Sequence, residues 1–359
     1  MEPLKNLYNK TLLNNLASEI EKQHAAFDKK SFKKKVFDQY WEDKELKQRM
    51  RHITESLHQH LPSNYKKSIK ILKPVAEKFK GFEYMFFQDY VECYGLDDFD
   101  TSIDALAHFT KYASSEFAVR AFILQDEKRM MKQMLSWAKS DNHHVRRLAS
   151  EGCRPRLPWA ISLPVFKKKP APVLPVLKIL MFDDSEYVRR SVANNLNDIA
   201  KDNPKIVTSL AQQWLGKDLN TDRLIKHACR TLLKQGDQKT LSLFGYAKAE
   251  HVKVNHFNTQ SKVAMGDKLS FSFTLNSQKK QLGKCRIEFA IDFVKANGSL
   301  SRKVFKISEA DYKDKEKHIS KYFSFKLIST RRYYSGVHVL TIIINGIDQV
   351  SKHFKLDTQ

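Results

Sequence analysis

Apolar residues recur at helical spacing through roughly the first 245 positions of the chain and at every second position beyond them. From Ser31 to Leu61 they keep the helical period against a dense polar face, which predicts helix, and Pro62-Ser63-Asn64 predicts its stop. Between Ser114 and Leu243 the pattern repeats. The run Asp141-Asn142-His143-His144-Val145-Arg146-Arg147-Leu148-Ala149 matches Asp184-Ser185-Glu186-Tyr187-Val188-Arg189-Arg190-Ser191-Val192 at a spacing of 43 residues. Thr221-Asp222 through Ile225-Lys226-His227-Ala228 follows 37 residues later, more weakly. Asn203-Pro204 supplies an N-cap and a first-turn proline for one more helix.

Two-helix repeats of about 40 residues mark HEAT-type solenoids, whose inner helices line a concave binding surface. Near Gly245 the period changes. Leu269–Leu275, Arg286–Phe293, Tyr322–Leu327 and Val337–Ile344 alternate as strands, and Asn297-Gly298 and Asn345-Gly346 read as hairpin turns. The fold class is therefore mainly α: a HEAT-like α-solenoid of paired helices over residues 1–248, then a small all-β immunoglobulin-like sandwich over 252–359. The Cys-Trp-Cys hallmark of antibody domains is missing from the second part.

Charge narrows the partner. The 359 residues carry 63 Lys and Arg against 40 Asp and Glu, a net +23 that a polyanion neutralises well. Residues 251–359 hold 20 basic and 9 acidic side chains, making the small domain about twice as charge-dense as the rest. No window approaches the 18 apolar residues of a membrane span, and Met1–Leu13 lacks a signal-peptide core, so the protein is expected in the cytosol. Cys93, Cys153, Cys229 and Cys285 stand singly, as reduced thiols do. His58-Gln59-His60 and His143-His144 have no thiol or carboxylate at ligand spacing, so neither metal nor cofactor is expected.

Three segments concentrate chemistry: Ser114–Arg120, Val145–Trp159 and Val188–Asp198. A spacing of four sets Arg147 and Glu151 on one helix face, and likewise Arg190, Asn194 and Asp198. Such a groove offers guanidinium groups to phosphates, yet holds carboxylates that repel them unless something cationic is met there. Structural duties compete for the same residues. Arg147 and Arg190 serve equally as solenoid ion pairs, Glu116 as a helix-dipole complement or partner of Arg120, Trp159 as a buried loop anchor, and Asp198 as a turn tie. Glu151, just before Gly152 at a helix C-terminus, sits where the dipole disfavours an acid and has the weakest structural excuse.

The runs Glu151-Gly152-Cys153-Arg154-Pro155-Arg156-Leu157-Pro158-Trp159 and Val188–Asp202 resemble the AlkC branch of the bacterial DNA alkylation repair glycosylases. The resemblance covers the helical part by motif and the β-rich tail by architecture. It implies a HEAT-like glycosylase that removes cationic N3-alkylated bases such as 3-methyladenine and 3-methylcytosine from double-stranded DNA without base flipping, with an immunoglobulin-like domain helping to encircle the duplex. It further implies a cleft with Glu116, Glu151, Trp159 and Asp198 as catalytic residues and Arg147 and Arg190 on the DNA backbone. Arg154, Arg156 and Asn194 join the DNA-binding set, and the protein is expected to act as a monomer. No lysine stands out as a Schiff-base nucleophile, so lyase activity is not expected. A non-catalytic nucleic-acid clamp and a HEAT scaffold for an acidic partner are the alternative readings.

Overall fold

The structure is a computed structural model describing residues 2–328 and 331–358; Met1 and Gln359, the outer ends of the two expected domains, lie outside the described residues. Helices come first: α1 (Lys10–Gln23), α2 (Lys29–Val36), α3 (Leu46–His60), α4 (Tyr65–Ala76), α5 (Phe86–Tyr94), α6 (Phe99–Phe109), α7 (Val119–Gln125) and α8 (Glu127–Trp137). They continue with α9 (His143–Glu151), α10 (Pro164–Lys168), α11 (Leu174–Leu180), α12 (Glu186–Ala200), α13 (Pro204–Trp214), α14 (Leu219–Ala228), α15 (Arg230–Lys234) and α16 (Gln238–Leu243).

The stretch Ser31–Leu61, read as helical, holds two helices, α2 and α3. Asp38 accepts from the Tyr40 amide and starts a turn, and Glu45 and Gln48 form a capping box that begins α3 afresh. Trp41 is buried in this break, with the Arg49 guanidinium over its ring at 4.7 Å. The stop after His60 holds, and Asn64 caps α4 by accepting from the Lys67 amide at 3.0 Å. Pro204 opens α13 as expected, while Asn203 Nδ2 donates to the Lys167 carbonyl at 2.6 Å.

Eight strands follow: β1 (Val252–Thr259), β2 (Lys262–Ala264), β3 (Lys268–Ser277), β4 (Gly283–Val294), β5 (Leu300–Tyr312), β6 (Glu316–Ser324), β7 (Gly336–Ile344) and β8 (Ile347–Asp357). They form one sheet ordered β1-β3-β6 and another ordered β2-β8-β7-β4-β5, antiparallel except for β2 on β8. Their facing sides bury Phe273, Leu275, Ile287, Ile291, Phe325, Leu340, Ile342 and Phe354 in a single core. Each such side chain is worth about 1.5–3 kcal/mol of burial.

The chain divides into two compact units, Met1–Asn203 with Gly216–Ala228, and Pro204–Leu215 with Cys229–Gln359. The second unit thus takes α13, α15 and α16 together with the strands. Its reason is a close approach: Asn345 and Gly346 turn from β7 to β8 with φ of 47° and 76°, and a side chain at 346 would lie 2.8 Å from the Gly236 α-carbon. Gln238 Nε2 donates to the Asn345 carbonyl at 3.2 Å, and Asn345 Nδ2 to that of Ala247 at 2.7 Å. In the first unit α12 packs between α9 and α14, and α11 packs against both α9 and α12.

Candidate active site

Asn142 caps α9 by accepting from the His144 amide at 2.9 Å, and Arg147 and Glu151 lie one turn apart on that helix. The helix ends at Glu151. Gly152 allows α7 to pass closely, since a Cβ there would come within 2.5 Å of Val119. The chain then leaves the helix through Cys153, Arg154 and Pro155 and crosses toward α12.

Six charged side chains from these segments alternate in sign along one row. Lys201 Nζ lies 3.2 Å from Asp198 Oδ1, and Arg154 spans Asp198 Oδ2 (Nε, 2.9 Å) and Glu151 Oε1 (Nη1, 2.7 Å). Arg147 Nη2 is 3.4 Å from Glu151 Oε1, and its Nη1 pairs with Glu116 Oε2 in the turn before α7. Ser114 accepts from the same Nη1 at 2.8 Å, and the Arg147 guanidinium sits 5.0 Å from the Tyr187 ring. Glu151, Asp198 and Arg154 are 4%, 2% and 7% exposed, so these charges are stable only because each is paired. Burial penalises the Arg154 guanidinium, but Glu151 and Asp198 outweigh it and hold its pKa above the ordinary arginine value. Arg147 is held up in the same way by Glu151 and Glu116.

The other Glu151 oxygen accepts from Ser191 on α12 at 2.7 Å, and Ser191 is in turn 2.7 Å from the Ser150 hydroxyl. Asn195 Nδ2 donates to the Ser150 carbonyl at 2.8 Å and fixes α12 against α9. The nearby Cys153 thiol is pushed up to about 12 by burial, which leaves no thiolate nucleophile at neutral pH.

The 43-residue register is visible in hydrogen bonds. Arg146 Nη1 donates to the carbonyls of Ser140 and Asp141, and Arg189 Nη1 to those of Asp183 and Asp184. Arg147 and Arg190 are likewise equivalent, but their surroundings differ. Arg147 joins the buried row, whereas the Arg190 side chain is 62% exposed and pairs with Glu186 one turn earlier. Helix geometry explains the separation: Arg190 lies about 80° around α12 from Asp198, Ser191 only about 20°. Arg190 instead lines a groove of about 300 Å³ between α12 and α14, with Arg189, Arg223 and His227. Asn194 is half-buried and its Oδ1 meets His227 Nε2 at 3.1 Å.

Arg154, which the resemblance puts in the DNA-binding set, has its guanidinium divided between two carboxylates inside the row. Glu116 pairs with Arg147 and not with Arg120. Arg156 lies apart, in a two-pronged pair with Asp202 on a partly exposed face. Trp159 is no buried anchor: it is 61% exposed, with φ of 63°, its ring edge-on to Phe82.

The fold has a close counterpart. It superposes with a TM-score of 0.95 and 37% identity, over 99% of this chain and 100% of the other, on Pseudomonas fluorescens alkylpurine DNA glycosylase AlkC bound to DNA containing an abasic site analog. The sequence is 46% identical to the uncharacterized protein YhaZ of Bacillus subtilis (strain 168), over 99% of this chain and 100% of the relative. The chain belongs to the AlkC–YhaZ family. Residues 253–358 also match the family described as the YhaZ C-terminal immunoglobulin-like domain. Both parts of the fold expected from the resemblance, the helical one and the β-sandwich, are therefore those of the AlkC–YhaZ family.

Several residues of this candidate site escape a reading by motif. Ser191 and Tyr187 carry a usable signal, since with Asp198 they recur at four- and seven-residue spacing along α12. Arg120 and Lys201 carry none that singles them out from other basic residues. Among the described residues no cluster of three His, Cys, Asp or Glu could hold a metal ion, and no helix is long and apolar enough to cross a membrane.

Proposed function

We propose that this chain is a DNA glycosylase of base excision repair, acting as a monomer in the cytosol on cationic N3-alkylated bases, 3-methyladenine and 3-methylcytosine, in double-stranded DNA. The observation that carries the reading is the buried alternating row Asp198–Arg154–Glu151–Arg147–Glu116, in a chain that matches AlkC along its whole length.

An N3-alkylated base is already cationic, so it leaves without a proton from the enzyme. The C1′–N bond breaks with its electron pair going to the base, which becomes neutral, and positive charge develops on the deoxyribose. Water oxygen then bonds to C1′ and gives up a proton. Glu151 and Asp198, fixed by Arg154 and held out of bulk water, stabilise the sugar cation and orient that water. Glu116, at the more open end of the row, adds to the negative field. The exposed Trp159 ring faces the cationic nucleotide, a contact worth about 0.5–2 kcal/mol. No step requires the base to leave the helix or a lysine to form a Schiff base, so the enzyme is monofunctional and uses no cofactor.

Arg190, Arg156 and Asn194 approach the phosphates from the helical part, and the basic sandwich of residues 252–359 clamps the duplex. Purified protein incubated with methylated duplex is expected to release free base, read by chromatography; binding without release would leave a non-catalytic clamp.

A further inference from the structure

Trp159 is held in a backbone conformation that an aromatic residue seldom adopts. Its φ of 63° places it in the left-handed region, which for a bulky side chain persists only where neighbours over-determine it. The loop that carries it runs from Gly152 to Ile161 and contains no regular structure. Two cations reach it, Arg120 and Lys47.

Arg120 on α7 is wholly buried. Among the described residues it makes no ion pair; its guanidinium donates to three main-chain carbonyls, from Nη1 to Gly152 (3.0 Å) and Arg154 (2.8 Å), and from Nε to Ile161 (2.6 Å). One planar group thus ties the first residues of the loop to its last. The first two acceptors follow the C-terminus of α9, where carbonyls lack helical partners and a cation is favoured. The geometry needs a guanidinium, because a lysine ammonium is a point charge and cannot span three fixed acceptors in one plane. Burial drives the Arg120 pKa down to about 10, so the site accepts a real electrostatic cost to keep this group there.

Lys47 on α3 is exposed. Its Nζ donates to the Trp159 carbonyl at 2.8 Å and lies 5.2 Å from the ring centre of Phe117, the neighbour of Glu116. A cleft of about 370 Å³ lined by Lys47, Arg51, Phe117, Ala160 and Ile161 lies alongside.

We propose that Arg120 and Lys47 are positioning residues of the excision reaction: by clamping the carbonyls of Ile161 and Trp159 they set where the Trp159 ring meets the nucleotide. The inference rests on the glycosylase reading. Arg120 acts from within the fold and Lys47 from its surface, and neither touches the reacting atoms.

The test is a pair of double-mutant cycles read by single-turnover base release at saturating full-length protein. Arg120→Lys and Lys47→Met should each slow release fivefold or more in the parent protein, yet less than twofold in a Trp159→Ala background. Partial unfolding lowers the fraction of protein that binds duplex in a stoichiometric titration, whereas mispositioning lowers the rate constant at saturation, so the two are separated. Lys47 lies on the surface, which keeps the test open should Arg120→Lys fail to fold. Effects that multiply with Trp159→Ala, or a Lys47→Met variant that loses DNA affinity with an unchanged rate at saturation, would overturn the proposal. If the parent protein releases no base from any lesion, the glycosylase reading itself has failed, a separate result.

Discussion

Arg154, in the loop after α9, donates to Asp198 in the last turn of α12 at 2.9 Å, across 44 residues of sequence. Its other arm goes to Glu151, so the two carboxylates are held by one guanidinium. Glu151→Gln and Asp198→Asn should therefore each slow excision at least tenfold, about 1.4 kcal/mol of transition-state stabilisation. DNA affinity should stay the same or improve, because a negative charge leaves a phosphate-binding groove. Single-turnover rates at saturating protein, with anisotropy titrations on the same duplex, check both halves. Unchanged rates in both variants would reduce the row to a structural network.

The β-sandwich should contribute affinity more than chemistry. A chain cut near Gly245 is a poor probe of this, because α13, α15 and α16 belong to the same compact unit as the strands. Replacing Lys262, Lys268 and Lys355, which line one cleft of the sandwich, by Gln is cleaner. The slope of log affinity against log salt should fall by about 0.9 for each phosphate contact removed, with the saturated rate little changed. An unaltered slope would place the DNA contacts of this domain elsewhere.

His338 in the sandwich is fully buried, accepts from the Val294 amide at Nδ1 (3.3 Å) and faces the Tyr334 carbonyl at Nε2 (3.2 Å). Burial holds its pKa below the ordinary 6.5. The unfolded chain then takes up the proton first as pH falls. The stability His338 contributes is full above about pH 6.5 and declines below it, by at most about 1.4 kcal/mol per pH unit. Hydrogen exchange of the Val294 amide should show protection falling between pH 7.5 and 5.5, and falling less in His338→Phe.

Base release should be indifferent to EDTA, since no step of the proposed chemistry needs a metal. Loss of release on chelation, restored by zinc, would require a different mechanism.

What the sequence disclosed follows from where each feature is encoded. Arg147 with Glu151 was legible because helical spacing alone puts them together, and the repeat register carried Arg146 onto Arg189 down to the carbonyls they bind. The hairpin at Asn345-Gly346 was legible from its turn residues. The Arg154–Asp198 bridge was not, because the loop after Glu151 has no period from which to read a direction. Arg120 was hidden for the same reason: its acceptors are backbone carbonyls, which leave no mark in side-chain pattern. Strand β5 went unseen because, at the edge of its sheet, it is partly exposed on both faces and its alternation is blurred. The run expected to continue through Leu327 stops at Ser324, with Phe325 turning inward alone.

The most direct test uses one duplex carrying a single 3-methylcytosine, incubated in EDTA with wild-type protein or Glu151→Gln, with free base and strand cleavage both measured. Wild-type protein should release 3-methylcytosine and leave an abasic site that breaks only on later alkali treatment, and Glu151→Gln should do so at least tenfold more slowly while binding as tightly. If wild-type protein binds this duplex and a 3-methyladenine-containing one yet releases no base from either, the chain is a DNA clamp and its carboxylate row is structural.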